Sequence, residues 1–266
     1  MDRQPVVAGQ FYPGQPEALK KKVVHYMQGM QGEQRTLLAM VPHAGYIFSG
    51  RVAGKTLAAA NLADRMILLG PNHTGRGSRI AVWPDGRWHV PGASIQVDTD
   101  LSAILTSIPG FEADYQAHLQ EHSLEVVMPF VSAIKDNCSM VPVAVSHADP
   151  QGLMEAGQSL GREIKSRNLD ISLIVSSDMS HYISHEQAKK IDSLALERIL
   201  ALDPAGLYRT VREYNISMCG VLPMVLGLSC ALELGARNSE MTVYATSGEV
   251  NNDYSQVVGY AGILVS

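Results

Sequence analysis

The chain has 266 residues, 46% hydrophobic and 18% charged, a balance that suits a folded globule with a sizeable core and excludes intrinsic disorder. Its 21 basic against 26 acidic residues give a net charge of -5, which carries no electrostatic footprint for nucleic acid, so no nucleic-acid partner is expected. The opening MDRQPVVAGQFYPG lacks the design of a secretory signal, and the longest apolar stretch, Val221 to Leu232, is broken by Pro223 and Gly227, so a cytoplasmic protein without a membrane partner is expected.

In chain order, periodicity predicts a helix over 16–29, a strand at LLAMV (37–41), a helix over 51–63 and a strand at MILLG (66–70). RIAVW and RWHV, on either side of Pro84-Asp85-Gly86, read as a hairpin. Helices over 98–107 and 123–136 follow, then a strand at MVPVAV (140–145), a helix over 151–167 and a strand at ISLIVS (171–176). Ser184 with Gln187 forms a capping box before a helix over 185–202, and helices over 204–213 and 220–234 come next, the last closed by Gly235. MTVYAT (241–246) and VVGYAGILV (257–265) are the final strands. Most of these strands are apolar without alternation, as strands covered on both faces should be. With no repeat or linker in view, the expectation is one α/β domain over 1–266, a sandwich with a central mixed sheet flanked by helices. Three cysteines, Cys138, Cys219 and Cys230, are too few and unpatterned for a disulfide framework.

Four predicted strands run into histidine: LLAMV into His43, MILLG into His73, MVPVAV into His147, and ISLIVS into Asp178 and His181. Ligands of open α/β sheets bind beyond the carboxyl ends of strands, where loops converge, so these side chains are placed to meet. Each also has a plain structural reading: strand-end histidines can bond loop carbonyls, Asp178 can cap its own turn with Ser176 and Ser177 nearby, and Cys219 can be a small buried hydrophobe. His147 reads as structural or as support to the site. Two further polar clusters are Glu121-His122 ahead of a helix and Cys219 at a predicted helix start, where the dipole favours a thiolate. Cys138 and Cys230 read as core.

The set PVVAGQFYP, VPHAGYIFSG, LLGPNHTG, EHSLEVVMPF, VPVAV, SSDMSHY and SMCG, in this order over residues 5–220, resembles the Memo family, the B component of the AmmeMemoRadiSam system. The resemblance implies a fold related to the class III extradiol (LigB-like) dioxygenases, whose non-haem iron sits at one edge of an α/β sandwich on two histidines and a glutamate. The Memo family offers a cysteine in place of that carboxylate. Carried over, His43, His73 and Cys219 match the metal-ligand positions, Asp178 and His181 match polar residues of the same pocket, and His122 is a pocket-lining acid or base. A thiolate with two imidazoles suits iron(II) or copper, with zinc also possible, and leaves positions for water, oxygen or substrate.

The resemblance therefore implies a metal-dependent oxidoreductase acting on an unknown small molecule, with His181 or His122 moving a proton. The alternative is a non-catalytic protein that uses a vestigial pocket to recognise a peptide or partner protein. A metal-dependent hydrolase ranks third, because no HEXXH spacing occurs. The family system's name also suggests a functional link to a radical-SAM protein.

Overall fold

The computed structural model describes residues 1–135, 137–146 and 149–266. His147, expected near the strand ends, lies outside the described residues. In chain order the elements are α1 (Pro16–Tyr26), β1 (Leu38–Val41), α2 (Tyr46–Ala59), β2 (Arg65–Pro71), β3 (Ile80–Val82), β4 (Arg87–Val90) and β5 (Ala93–Val97). There follow α3 (Thr99–Thr106), β6 (Phe111–Ala113), α4 (Met128–Ile134), β7 (Ser139–Val145), α5 (Pro150–Ser166), β8 (Ile171–Ser176) and β9 (His181–Ile183). The chain ends with α6 (His185–Leu200), α7 (Pro204–Glu213), α8 (Val221–Leu234), β10 (Ser239–Thr246), α9 (Gly248–Asn251) and β11 (Val257–Val265).

The apolar strands form the middle of one mixed sheet, in the order β10-β11-β1-β8-β2-β7-β3-β6. β1, β8, β2 and β7 are mutually parallel, β11 runs antiparallel to β1, and β3 runs antiparallel to β7. The strand period of two sorts their side chains between two cores. Leu38, Met40, Ile67, Leu69, Leu173 and Val175 face a core shared with α5 to α8, while Ala39, Val41, Met66, Leu68 and Ile174 face one shared with α1, α2 and α4. Burying a side chain of Leu size contributes roughly 1.5–3 kcal/mol, so both faces commit the central strands to this register. The mixed sheet with helices on both faces is the architecture the sequence leads one to expect.

Helix starts are fixed locally. The side chains of Asp98, Asp149, Ser184 and Asp203 accept the N–H of Leu101, Gly152, Gln187 and Gly206, capping α3, α5, α6 and α7. Each cap of this kind contributes about 1 kcal/mol. Gly235 ends α8 in the left-handed region at φ 106°, where a side chain would be strained. Helices α5 and α8 cross closely at Gly157, where an added Cβ would stand 2.3 Å from the Leu226 carbonyl oxygen.

The expected hairpin around Pro84-Asp85-Gly86 does not form. β3 pairs with β7 and β6, and β4 pairs with β5, Val90 opposite Ala93 across the turn at Pro91-Gly92. Trp83 continues the β3–β7 pairing by donating its N–H to Pro142 O, and the buried Trp83 and Trp88 rings pack edge to face. Central-sheet pairing outweighs a local turn signal. α2 begins five residues earlier than periodicity suggests, since Tyr46 is buried and its hydroxyl donates to Val126 O. α4 starts later than expected, at Met128, because residues 122–127 form turns in which Val126 N–H bonds His122 O and Val127 N–H bonds Leu124 O.

One feature of this topology places the site. β1 connects to β2 through α2 on one face, stepping past β8, and β7 connects to β8 through α5 on the other face, stepping past β2. Crossovers that leave opposite faces open a crevice at the carboxyl ends of the parallel strands.

Candidate metal centre

The loops leaving β1, β2 and β8 carry His43, His73 and Asp178 into that crevice, and the turns before α4 bring His122. The three imidazoles gather there. Ring centroids are 5.4 Å apart for His43 and His73, 5.5 Å for His43 and His122, and 4.9 Å for His73 and His122. One ligand atom from each lies within 4.8 Å of the others, a cluster that could hold a metal ion.

Hydrogen bonds set the tautomers. Ser176 Oγ donates to Ser123 O at 2.7 Å, so at 2.5 Å it accepts from Nδ1–H of His43. Glu121, a carboxylate that can only accept, takes Nδ1–H of His73 at 2.9 Å. Both rings are thereby left with an unprotonated Nε2, that of His43 facing Cys219 Sγ. An imidazole whose second nitrogen is bound by a serine or carboxylate is what a metal-ligating histidine requires.

Glu121 organises this corner. It is buried, with 1% of its side chain exposed, and it accepts the backbone N–H of His73 at 2.5 Å and those of His122 and Ser123 at 2.9 Å each. Burial works against its charge, but His73 and the Ser123 N–H hold its pKa at about 2. For His73, burial pulls the pKa down, yet the Glu121 bond and charge outweigh it and the net shift is upward. Burial drives His43 well below the ordinary imidazole range, with His73 and His122 adding to the effect. His122 is also lowered, by burial first, and packs against Phe11 with centroids 4.9 Å apart.

Cys219 stands beside His43, its Sγ 3.4 Å from Nε2, and outside the three-imidazole set. Sγ accepts the backbone N–H of Asp178 at 3.2 Å. The thiolate expected at this helix start is not favoured in the metal-free chain, because burial, and then the charge of Asp178, push the thiol up. Gly220, the N-cap of α8, permits this approach, since a Cβ there would lie 2.3 Å from Ser177 Cβ. Cys230 is buried and Cys138 half-buried, and both are free.

Asp178 is buried and accepts the backbone N–H of His43 at 2.9 Å; burial raises its pKa. His181 sits in β9, held by Nδ1–H to Ser217 O at 3.0 Å and by its backbone N–H to Ser217 Oγ at 2.7 Å. Its ring therefore also keeps Nε2 unprotonated.

Sequence reading passes over a second layer. Arg3, 2% exposed, donates to Glu125 at 2.8 Å, to His118 O at 2.9 Å and to Glu121 O at 2.6 Å. Glu125 in turn accepts from Val6 N–H, Val7 N–H and Tyr12 OH. This buried pair ties the N-terminal segment, including Phe11, to the turn that carries Glu121 and His122. Glu121 had a visible signal in its adjacency to His122, whereas Arg3 had none.

No helix among the described residues is long and apolar enough to cross a membrane. The chain is 40% identical to a MEMO1 family protein of Methanopyrus kandleri, 38% to one of Methanococcoides burtonii and 36% to one of Aquifex aeolicus, with at least 98% of both chains covered in each case. Its fold is similar to that of an uncharacterized protein from Escherichia coli K12, with a TM-score of 0.55 and 12% identity over 85% of this chain and 99% of that one. The Memo-like protein family model matches residues 3–264, and the chain belongs to that family.

Proposed function

We propose that the chain is a cytoplasmic metal-dependent oxidoreductase acting on a small molecule, with the metal held by His43, His73 and Cys219. The observation that carries this reading is the pair of unprotonated Nε2 atoms, each fixed by a hydrogen bond at Nδ1, with a thiol 3.4 Å from one of them. Two donors about 2.1 and 2.3 Å from one ion, at roughly tetrahedral angles, lie about 3.4–3.6 Å apart, so the sulfur and nitrogen already stand at ligand spacing. His122 offers a ligand atom within 4.8 Å of those of His43 and His73, and its ring stacks on that of His73; in this reading it stays off the ion and handles protons.

The mixed nitrogen and sulfur set accepts iron(II), copper or zinc, and the redox reading takes iron(II) or copper because zinc does not change oxidation state. When bound, such an ion supplies the electron transfer or oxygen activation that side chains lack. The residues around it handle protons and orientation. His122, neutral near pH 7 because its pKa is lowered, accepts a proton from a substrate hydroxyl, and His181, with its Nε2 unprotonated, is the second candidate for that role. Asp178 holds the backbone at His43, Glu121 holds His73 and His122 together, and Phe11 shields one side of His122 from water.

Oxygen consumption with diphenols and with thiols, by the iron(II)- and copper-loaded protein, tests the reading. Turnover that disappears in His43→Ala and falls at least about ten-fold in His122→Asn supports it. Full metal loading with no turnover on either substrate class, together with peptide or protein binding that survives chelation, would replace it with a recognition role.

A further inference from the structure

Asp178 touches two of the proposed ligands. Its carboxylate accepts His43 N–H at 2.9 Å, and its backbone N–H donates to Cys219 Sγ at 3.2 Å. It stands in a short connection, residues 177–180, that runs buried between β8 and β9 with no helix or strand of its own. Such a segment keeps its shape only through the groups it is bonded to. β11 supplies part of that hold: Met179 N–H donates to Gly259 O, and Gly259 N–H to Ser180 O, both at 2.8 Å.

The rest comes from Asp192. The buried residues of α6 are Ala188, Asp192, Ala195, Leu196 and Ile199, so this carboxylate occupies a place on an otherwise apolar helical stripe. Oδ1 accepts both the backbone N–H of Ser180, at 3.1 Å, and the Ser180 hydroxyl, while Oδ2 accepts Tyr244 OH from β10 at 2.8 Å. β11 leaves room for it, since a Cβ at Gly259 would collide with Oδ2. Among the described residues no cationic side chain is ion-paired with Asp192. A buried carboxylate without a cation is costly, and burial pushes its pKa up. An apolar residue would complete the stripe at lower cost, so the packing of α6 does not account for Asp192. What the carboxylate provides is a double grip on Ser180, two residues from Asp178 and next to His181.

Resting on the metal-centre reading above, we infer that Asp192 is a positioning residue of the site: by fixing Ser180 it holds Asp178 against His43 and Cys219, as Glu121 does for His73. Asparagine can reproduce the grip, with Oδ1 on Ser180 and Nδ2 donating to a turned Tyr244 hydroxyl, and alanine cannot.

The test compares Asp192→Ala and Asp192→Asn with the parent, and with Gly157→Ala as a control destabilised away from the site. Amide hydrogen exchange of the metal-free full chain is read by NMR, and cobalt(II) affinity by titration. In Asp192→Ala the His43 and Asp178 amides should exchange at least about ten-fold faster than in Gly157→Ala, and Asp192→Asn should stay within about three-fold of the parent. Cobalt(II) affinity should fall about 10–100-fold in Asp192→Ala and hold in Asp192→Asn and Gly157→Ala. Exchange at His43 and Asp178 no faster in Asp192→Ala than in the control, or an Asp192→Asn as loose as Asp192→Ala, overturns the inference. Should Asp192→Ala fail to fold, Ser180→Ala removes only the hydroxyl from the grip and should quicken the same two amides; no change there also overturns it. Because exchange needs no metal, a parent that takes up no cobalt while the exchange pattern holds refutes the metal centre and leaves Asp192 as the anchor of Asp178 and His43. A parent that binds cobalt with an affinity unchanged in Asp192→Ala refutes this inference alone.

Discussion

Replacing Glu121 with Gln keeps the size of the side chain and removes its charge. The carboxylate accepts four hydrogen bonds in a buried setting, from His73 N–H, His73 Nδ1–H, His122 N–H and Ser123 N–H. With the amide oxygen turned toward the last three, the amide nitrogen faces the His73 backbone N–H, donor against donor. A buried N–H left without its acceptor costs about 1–3 kcal/mol, and the remaining bonds lose their charge assistance, so a total near 3 kcal/mol is expected. The freed His73 ring also loses its orientation and basicity, and the removal of such a partner typically weakens metal binding about 10–100-fold. Urea denaturation of the metal-free protein and calorimetric zinc titration measure the two effects separately. Stability within about 0.5 kcal/mol of the parent, or zinc affinity within about two-fold, would refute the assignment of Glu121 as organiser of the site.

Other outcomes follow from the same geometry. Glu121 ionises at about 2 in the folded chain against an ordinary value of 4.5, so its stabilising contribution is complete above pH 4.5 and is lost as pH falls toward 2; acid titration of the metal-free Glu121→Gln variant should show that component missing. His73 has a raised pKa, so protons compete with the metal there, and affinity measured by calorimetry should fall as pH drops below neutrality. Cobalt(II) loaded into the parent protein should give a sulfur-to-metal charge-transfer band that is absent in Cys219→Ser; a band unchanged in that variant would remove Cys219 from the ligand set. Gly157→Ala pushes a methyl toward Leu226 O and Ser229, and should cost about 1–3 kcal/mol by thermal unfolding, with no effect on metal uptake.

The parallel core strands were legible because they are covered on both faces, and LLAMV, MILLG, MVPVAV and ISLIVS leave few alternatives. The convergence of His43, His73 and Asp178 was legible for the same reason, since each follows such a strand directly. β4 and β5 were harder, because Asp85-Gly86 and Pro91-Gly92 are both adequate turns and only the pairing of β3 with β7 decides between them. The position of His122 depends on a buried contact to Arg3, more than a hundred residues away, and no local pattern carries that information. Helix-terminus logic favoured a thiolate at Cys219, but it takes no account of burial, which dominates once the loop is packed.

Elemental analysis of protein purified anaerobically without chelator tests the central claim most directly, run beside His43→Ala, His73→Ala and Cys219→Ser. About one equivalent of iron or copper in the parent, lost in all three variants, is the predicted result. A parent that contains no metal and takes up none on titration with iron(II), copper(I) or zinc would contradict the account.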